Sequence, residues 1–265
     1  MLRSRIIPCL LIQNKGLVKT RNFKEPKYVG DPLNAVKIFN EKEADELMVV
    51  DIDASRNERE PDFDLVEKFA AECRMPLCYG GGVTSAAQAS KLISLGVEKV
   101  AVSSAAILNP TLLTEMAQAV GKQSVVAVID ICKKKGFFSS GYEVCIYNAS
   151  RTIKQDPIEL ARSLQDAGAG EIVFNFVDLD GTMQGYDIEY AKSLKEVLCV
   201  PVTFLGGAGS LEHMGSLMEE LGVVGAAAGS LFVFKGKYRA VLINYPELEK
   251  KLQICQQASK ARQNI

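Results

Sequence analysis

The chain has no tryptophan and a single histidine, His213, among its 265 residues. One histidine on a helical pattern leaves nothing from which to build a Ser-His-Asp triad or a typical zinc or iron site, so neither metal nor cofactor is called for. The seven cysteines (Cys9, Cys73, Cys78, Cys132, Cys145, Cys199 and Cys255) include no C-x-x-C pair. They are scattered, most of them in apolar runs where cysteine acts as a small hydrophobe, which reads as a protein of the reducing cytoplasm. Charge of either sign is not in excess: 31 basic side chains face 32 acidic ones, a net charge of −1, so no field draws in nucleic acid or an anionic membrane. No apolar stretch approaches the roughly 20 residues of a membrane span. Met1 to Ile12 runs from basic to apolar, but it is too short for a signal peptide before charged residues resume. Lys133-Lys134-Lys135 beside Phe137-Phe138 has the composition of a nucleic-acid contact; in a neutral chain it reads as a solvated loop. Gly80-Gly81-Gly82 lacks the G-x-G-x-x-G spacing, so a dinucleotide fold is unsupported.

What the chain does have is near-repetition. Pro76-Leu77-Cys78-Tyr79-Gly80-Gly81-Gly82 is echoed by Pro201-Val202-Thr203-Phe204-Leu205-Gly206-Gly207. Leu95-Gly96-Val97, leading to Ser103-Ser104, is echoed by Leu221-Gly222-Val223, leading to Gly229-Ser230. A repeat of this length is too large for a solenoid unit and suits half of a closed barrel. Strand patterns fall near 5–11, 46–51, 76–80, 98–103, 124–130, 170–177, 201–205 and 224–229. Helical patterns lie between them, opened by Asp31-Pro32, Asn109-Pro110 and Asp156-Pro157, and by Ser85, Asp187 and Ser210 as caps without proline. Strand alternating with helix makes a parallel sheet, and the repeat favours closing it. The predicted fold is therefore one (β/α)8 TIM barrel spanning 1–265, with halves of about 1–122 and 123–250 and a polar, fraying helix over about 250–265. Two strand-to-helix loops are long, 12–30 and 131–156, the second with turns at Gly136 and Ser139-Ser140-Gly141. Such loops sit over the active-site face of a barrel.

Side chains alternate along a strand, so residues of one parity share a face. Arg5, Ile7, Cys9 and Leu11 share one, as do Ser124, Val126, Val128 and Asp130. With the apolar members inside, Asp130 stands at the carboxyl end of its strand, placed either for proton transfer or as a loop cap. Gly82, Gly207, Gly229 and Ser230, together with Asp180-Gly181-Thr182, suggest two anion sites across one mouth, hence a substrate with a phosphate at each end. Arg5, Glu46, Lys99 and Glu171 each begin a strand with interior parity, which would set two bases and two acids in a ring at the barrel bottom. The usual meaning of charge on that face is stability.

RSRIIPCL, Asp45-Glu46-Leu47 followed by DIDAS, the GGG turn, EKV around Lys99, the strand ending at Asp130, GAGEI, DLDGTMQGYD and GGAGS through AAAGSLF succeed one another over almost the whole chain. This order closely resembles the HisF family, the cyclase subunit of imidazole glycerol phosphate synthase. The resemblance implies a half-barrel-duplicated (β/α)8 barrel of the ribulose-phosphate-binding type, working with a HisH-like glutaminase. In that family the partner frees ammonia at the barrel bottom, and ammonia crosses to a bisphosphorylated ribulosyl-aminoimidazole substrate at the top. Arg5, Glu46, Lys99 and Glu171 match the family's ammonia gate and Lys19 its mobile first-loop lysine, and Gly82, Ser103, Ser104, Asp180, Gly181, Gly207, Gly229 and Ser230 are the candidate phosphate-binding residues.

The departures lie at the mouth. The family has two catalytic aspartates; here Asp130 keeps one position and Leu11 occupies the other. Ser103 and Ser104 stand for Asn and Thr, Asn175-Phe176 for Thr-Ser, and Leu205 for Ser. With CLLI for CLDV and the phrase FKEPKYVGDP, the chain looks like HisF paralogues of bacterial surface-polysaccharide clusters, which are associated with an N-acetyl-sugar amidotransferase that turns an acetamido into an acetamidino group. Three functions stay open at this point: a non-cyclising ammonia-conducting subunit for sugar amidation, a working cyclase of histidine biosynthesis, and a glutaminase activator through which no ammonia passes.

Overall fold

The computed structural model describes residues 3–136 and 141–263, with 257–263 described by backbone alone. Its first half runs β1 (Arg5–Gln13), β2 (Gly16–Arg21), β3 (Lys24–Gly30), α1 (Pro32–Glu41), β4 (Leu47–Asp51), α2 (Phe63–Glu72), β5 (Leu77–Gly80), α3 (Ala86–Ser94), β6 (Lys99–Val102), α4 (Ser104–Leu108) and α5 (Thr111–Val120). The second runs β7 (Val125–Lys133), β8 (Tyr142–Ile146), β9 (Arg151–Ile153), α6 (Pro157–Asp166), β10 (Glu171–Phe176), α7 (Ile188–Glu196), β11 (Val202–Leu205), α8 (Leu211–Leu221), β12 (Gly225–Ala228), α9 (Ser230–Val233), β13 (Phe234–Lys235), β14 (Ala240–Val241) and α10 (Leu248–Gln263).

β1, β4, β5, β6, β7, β10, β11 and β12 pair in that order, each parallel to the next, and β12 pairs back onto β1. The sheet is therefore closed, a (β/α)8 barrel with the helices outside. Alternation divides the apolar residues into two cores. Ile7, Cys9, Met48, Cys78, Ala101, Val126, Val173, Leu205 and Ala227 fill the interior, with Leu11, Val50 and Val128 packed against them. The opposite parity, including Ile6, Leu10, Leu47, Leu77, Phe174 and Phe204, packs under the helices.

Local chemistry starts most helices where the sequence places them. The Asp31 carboxylate accepts from the Asn34 amide at 2.8 Å, and that of Asp156 from the Ile158 and Glu159 amides at 2.8 and 3.1 Å; each precedes a proline in the first turn. Ser85, Asp187 and Ser210 cap α3, α7 and α8 in the same way. Such a cap contributes about 1 kcal/mol. Asn109 differs. It lies between α4 and α5, Pro110 already has helical dihedrals, and the Asn109 side chain takes the Thr111 hydroxyl instead of a backbone amide.

Both segments anticipated as long loops are folded hairpins. β1 continues beyond the barrel and turns at Asn14-Lys15 (φ 48° and 63°) into β2, which turns at Asn22-Phe23 (φ 50° and 60°) into β3. β7 likewise extends into antiparallel β8 and β9. Leu17, Val144 and Ile146 are buried, and their burial explains why these segments fold. The Phe137-Phe138 pair and the Ser139-Ser140 turn lie outside the described residues. The C-terminal helix begins firmly anchored where a fraying tail was anticipated. Lys251 is 2% exposed, its ammonium 2.9 Å from Asp45 Oδ1 and donating to the Glu43 carbonyl at 2.8 Å, while Ile254 packs beside Gly215 of α8.

Candidate functional site

At the amino ends of the strands, Arg5, Glu46, Lys99 and Glu171 meet in a closed ring. The Lys99 ammonium donates to Glu46 Oε1 and Oε2 at 2.9 and 2.8 Å and to Glu171 Oε2 at 2.8 Å. Opposite it, Arg5 reaches Glu171 Oε1 at 2.7 Å and also bonds Glu46. Each acid thus touches both bases. Thr203 belongs to the cluster too, its hydroxyl donating to Glu171 Oε1 at 2.6 Å. Its parity with Leu205 in β11 was the available signal for it. Burial would lower Arg5 and Lys99, but the facing carboxylates outweigh this and raise both. Burial likewise works against ionised Glu171, and the two cations still hold it below the ordinary glutamate range. These shifts hold Arg5, Lys99 and Glu171 in their charged forms, and buried charges of this kind are tolerated because each is paired.

Above the ring the interior is uncharged. Ile7, Met48, Val126, Val173 and Ala227 supply hydrocarbon, and two thiols complete the wall. Desolvation pushes Cys9 up to about 12 and Cys78 well above its ordinary value, so both stay neutral. A neutral small molecule would meet no charge between the ring and the mouth.

The interior opens at the carboxyl ends of the strands into a cavity of about 110 Å³ that brings together Leu11, Lys19, Gly82, Ser103, Ser104, Asp130, Asp180 and Gly229. Gly181, Gly207 and Ser230 do not line it. Asp130 on β7 stands in register with Asn175 on β10, whose Nδ2 donates to Asp130 Oδ1 at 3.0 Å. Desolvation raises the Asp130 carboxyl to about 7, against the downward pull of the Asn175 bond and with a further upward push from Asp180. Leu11 lines the same cavity and, like Val50 and Val128, packs against the interior core. Asn175 and Ser103 each present a buried oxygen with no hydrogen-bond partner among the described residues.

The glycine turns are built by close approach. Gly81 and Gly82 have φ of 112° and 75°, and a Cβ on either would sit 2.4 Å from a carbonyl oxygen, that of Asp51 or of Arg59. The Gly82 amide donates to Ser55 Oγ at 3.3 Å, and Ser104 Oγ accepts from the Tyr147 amide at 2.8 Å. In the second turn a Cβ on Gly207 would lie 2.0 Å from the Gly185 carbonyl oxygen. Ser230 Oγ accepts from Arg239 at 3.3 Å, a contact with no sequence signal.

The first hairpin closes over this second side. The Lys19 ammonium, buried, contacts Asp180 Oδ1 and Oδ2 at 2.8 and 3.0 Å and donates to the Thr20 carbonyl at 2.9 Å. Its stem crosses Gly229 so closely that a Cβ there would lie 2.8 Å from Lys19 Cε. Asn22 fastens the tip, its amide donating to the Asp180 carbonyl at 2.9 Å. Asp180 and Gly181, read from sequence as anion donors, are engaged otherwise in this arrangement. The Asp180 carboxylate is the counter-ion of Lys19, its amide donates to the Phe176 carbonyl, and Gly181 lies under Thr20.

No helix among the described residues is long and apolar enough to cross a membrane. The family model described as histidine biosynthesis protein matches residues 5–239. A Vibrio vulnificus protein, provisionally named imidazole glycerol phosphate synthase subunit HisF3, is 55% identical over 251 residues, covering 95% of this chain and 96% of its own. A Leptospira interrogans protein with the provisional name of imidazole glycerol phosphate synthase subunit HisF is 54% identical over 251 residues, 95% of this chain and 98% of its own. The Clostridium botulinum imidazole glycerol phosphate synthase subunit HisF is 38% identical over 235 residues, 89% of this chain and 92% of its own. With its closed parallel barrel, its matched length and these relatives, the chain belongs to the histidine biosynthesis protein family, in its HisF branch.

Proposed function

We propose that the protein is the ammonia-accepting barrel subunit of a glutamine amidotransferase complex, and that its mouth is poorly equipped for cyclisation. A HisH-like glutaminase would dock on the face holding Arg5, Glu46, Lys99 and Glu171, and ammonia would pass the ring and the uncharged interior. The observation that carries this reading is Leu11 in the cavity with Asp130. A hydrocarbon side chain cannot exchange a proton, and loss of one member of an acid/base pair costs roughly 10²–10⁴-fold in rate. The ring and conduit do not depend on that position. Ammonia delivered to a mouth with one carboxylate suits transfer onward, and the substrate class we assign is an N-acetyl sugar whose acetamido group becomes acetamidino on an associated amidotransferase. The numbered names of the relatives from Vibrio vulnificus and Pseudomonas aeruginosa, HisF3 and HisF2, support a paralogue's role.

The second reading is the cyclase itself, and Asp130 favours it, since a carboxyl near 7 is suited to exchange protons at physiological pH. The two are separated by supplying the purified protein with ammonium salt at high pH and the bisphosphorylated ribulosyl-aminoimidazole. Our reading predicts little or no imidazole glycerol phosphate. Robust turnover would establish the cyclase.

A further inference from the structure

We propose that Asp130 and Asn175 form a binding site for ammonium at the top of the barrel interior, an assignment that rests on the ammonia-delivery reading. The Asn175 side chain lies within a residue only 8% exposed, lines the mouth cavity and is fixed through Nδ2, which donates to Asp130 Oδ1 at 3.0 Å. With its nitrogen turned to the carboxylate, its Oδ1 is left as a buried acceptor without a donor among the described residues. The second acceptor is the Asp130 carboxylate beside it. Strand register sets them side by side, because Asn175 and Asp130 are paired across β10 and β7.

The chemistry of the pair selects the ligand. One anionic and one neutral oxygen suit a small monovalent cation with several N–H bonds. They are too few for a hard divalent ion, which takes six or more oxygens. The adjoining walls, Leu11, Val50 and Val128, are apolar and reward no larger polar group. Below them the interior offers neutral groups alone, so ammonia rising from the ring meets its first strong acceptors here.

Binding also has a proton balance. Ammonium held at the site can pass one proton to the Asp130 carboxylate, leaving neutral ammonia, with its lone pair free, beside a protonated carboxyl. The titration of Asp130 near 7 brings both forms within reach of neutral pH. The titratable groups that surround it are Asp180 with its partner Lys19 from the first hairpin, Cys145 across the β7–β8 pair, and Cys9 from the interior; of these, Asp180 pushes the Asp130 carboxyl upward. Asn175, by donating to the carboxylate, favours its ionised form.

The test follows the Asp130 carboxyl carbon by NMR in the full-length protein carrying ¹³C-aspartate, assigned with Asp130→Asn. Titration with ammonium chloride is compared with potassium chloride at one ionic strength, since potassium is similar in size but donates no hydrogen bond. The expected result is a shift produced by ammonium and absent with potassium. It should be lost in Asn175→Leu, with the titration midpoint of Asp130 moved upward, in a variant whose amide spectrum outside the mouth stays that of the wild type, which guards against a folding defect. Equal shifts from both salts, or an ammonium shift that survives Asn175→Leu, would overturn the site. The delivery reading is checked apart, by following ¹⁵N from the glutamine amide in the complex with a glutaminase. Absence of label in the product alongside an intact ammonium shift would remove delivery and leave the site standing.

Discussion

Asp130 carries an electrostatic cost that a change of a single atom type would relieve. Its carboxyl is raised from 3.8 to about 7 in the fold, so the native protein binds a proton that the unfolded chain has released. The associated stability is fully present below the unfolded value and is lost as pH climbs through the folded one. Asp130→Asn keeps an acceptor for the Asn175 amide and removes the titration. Denaturant unfolding at a series of pH values should show the variant gaining on the wild type between pH 3.8 and about 7. At about 1.36 kcal/mol for each pKa unit, the gain reaches the order of 4 kcal/mol. Parallel curves across that range would mean that Asp130 is better solvated than its burial implies. Leu11 makes a companion case. Leu11→Asp would put a second carboxylate near Asp130, so it should raise the Asp130 midpoint further, as seen in the same ¹³C titration.

At the scale of the element, the first hairpin is held by one buried ion pair. Lys19 and Asp180 are both largely buried, so Lys19→Met strands a carboxylate, and breaking such a pair by removing one partner costs about 3–5 kcal/mol. That cost should fall on β2 and β3. Hydrogen exchange is expected to quicken at the Val18 and Asn22 amides while β4 and β11 stay protected, and uniform protection in the variant would show that the apolar contacts of Leu17 hold the hairpin alone. The barrel strands were legible because each is a short apolar run bounded by glycine, proline or a cap, and the observed spans fall within a residue or two of the predicted ones at most ends. The hairpins were not. In the first of them the two-residue turns place both central residues at positive φ, and the sequence supplies Asn-Lys and Asn-Phe there, without the glycine that normally announces such a turn; between β8 and β9 three successive residues, Tyr147, Asn148 and Ala149, have positive φ, again with no glycine. The anchoring of the last helix was not legible for a related reason: a helix rich in lysine and glutamine looks solvated until Asp45, distant in sequence, comes to meet Lys251.

The whole molecule joins a charged ring and a mouth through a neutral interior. Parity along the strands was enough to place Arg5, Glu46, Lys99 and Glu171 together and Asp130 at the opposite end, because a closed parallel barrel fixes both facts once its register is set. It could not reveal the Asn175 bond to Asp130, the engagement of Asp180 by Lys19, or the Arg239 contact at Ser230, all of which depend on distances between elements. Sulfate soaked into crystals should occupy two positions, near Gly82 and Ser104 and near Gly207, Gly229 and Ser230, the second requiring Lys19 to swing away from Gly229. Two empty positions with the hairpin still closed would count against any bisphosphorylated ligand. The conduit itself is tested most directly by Lys99→Ala in a complex reconstituted with a glutaminase and an N-acetyl-sugar amidotransferase, reading amidated sugar formed for each glutamate released. Removing Lys99 leaves Glu46 and Glu171 with Arg5 as their one cation in the ring and opens it. Conduction through the barrel predicts that glutamate is still produced while amidated sugar per glutamate falls; an unchanged ratio would contradict it.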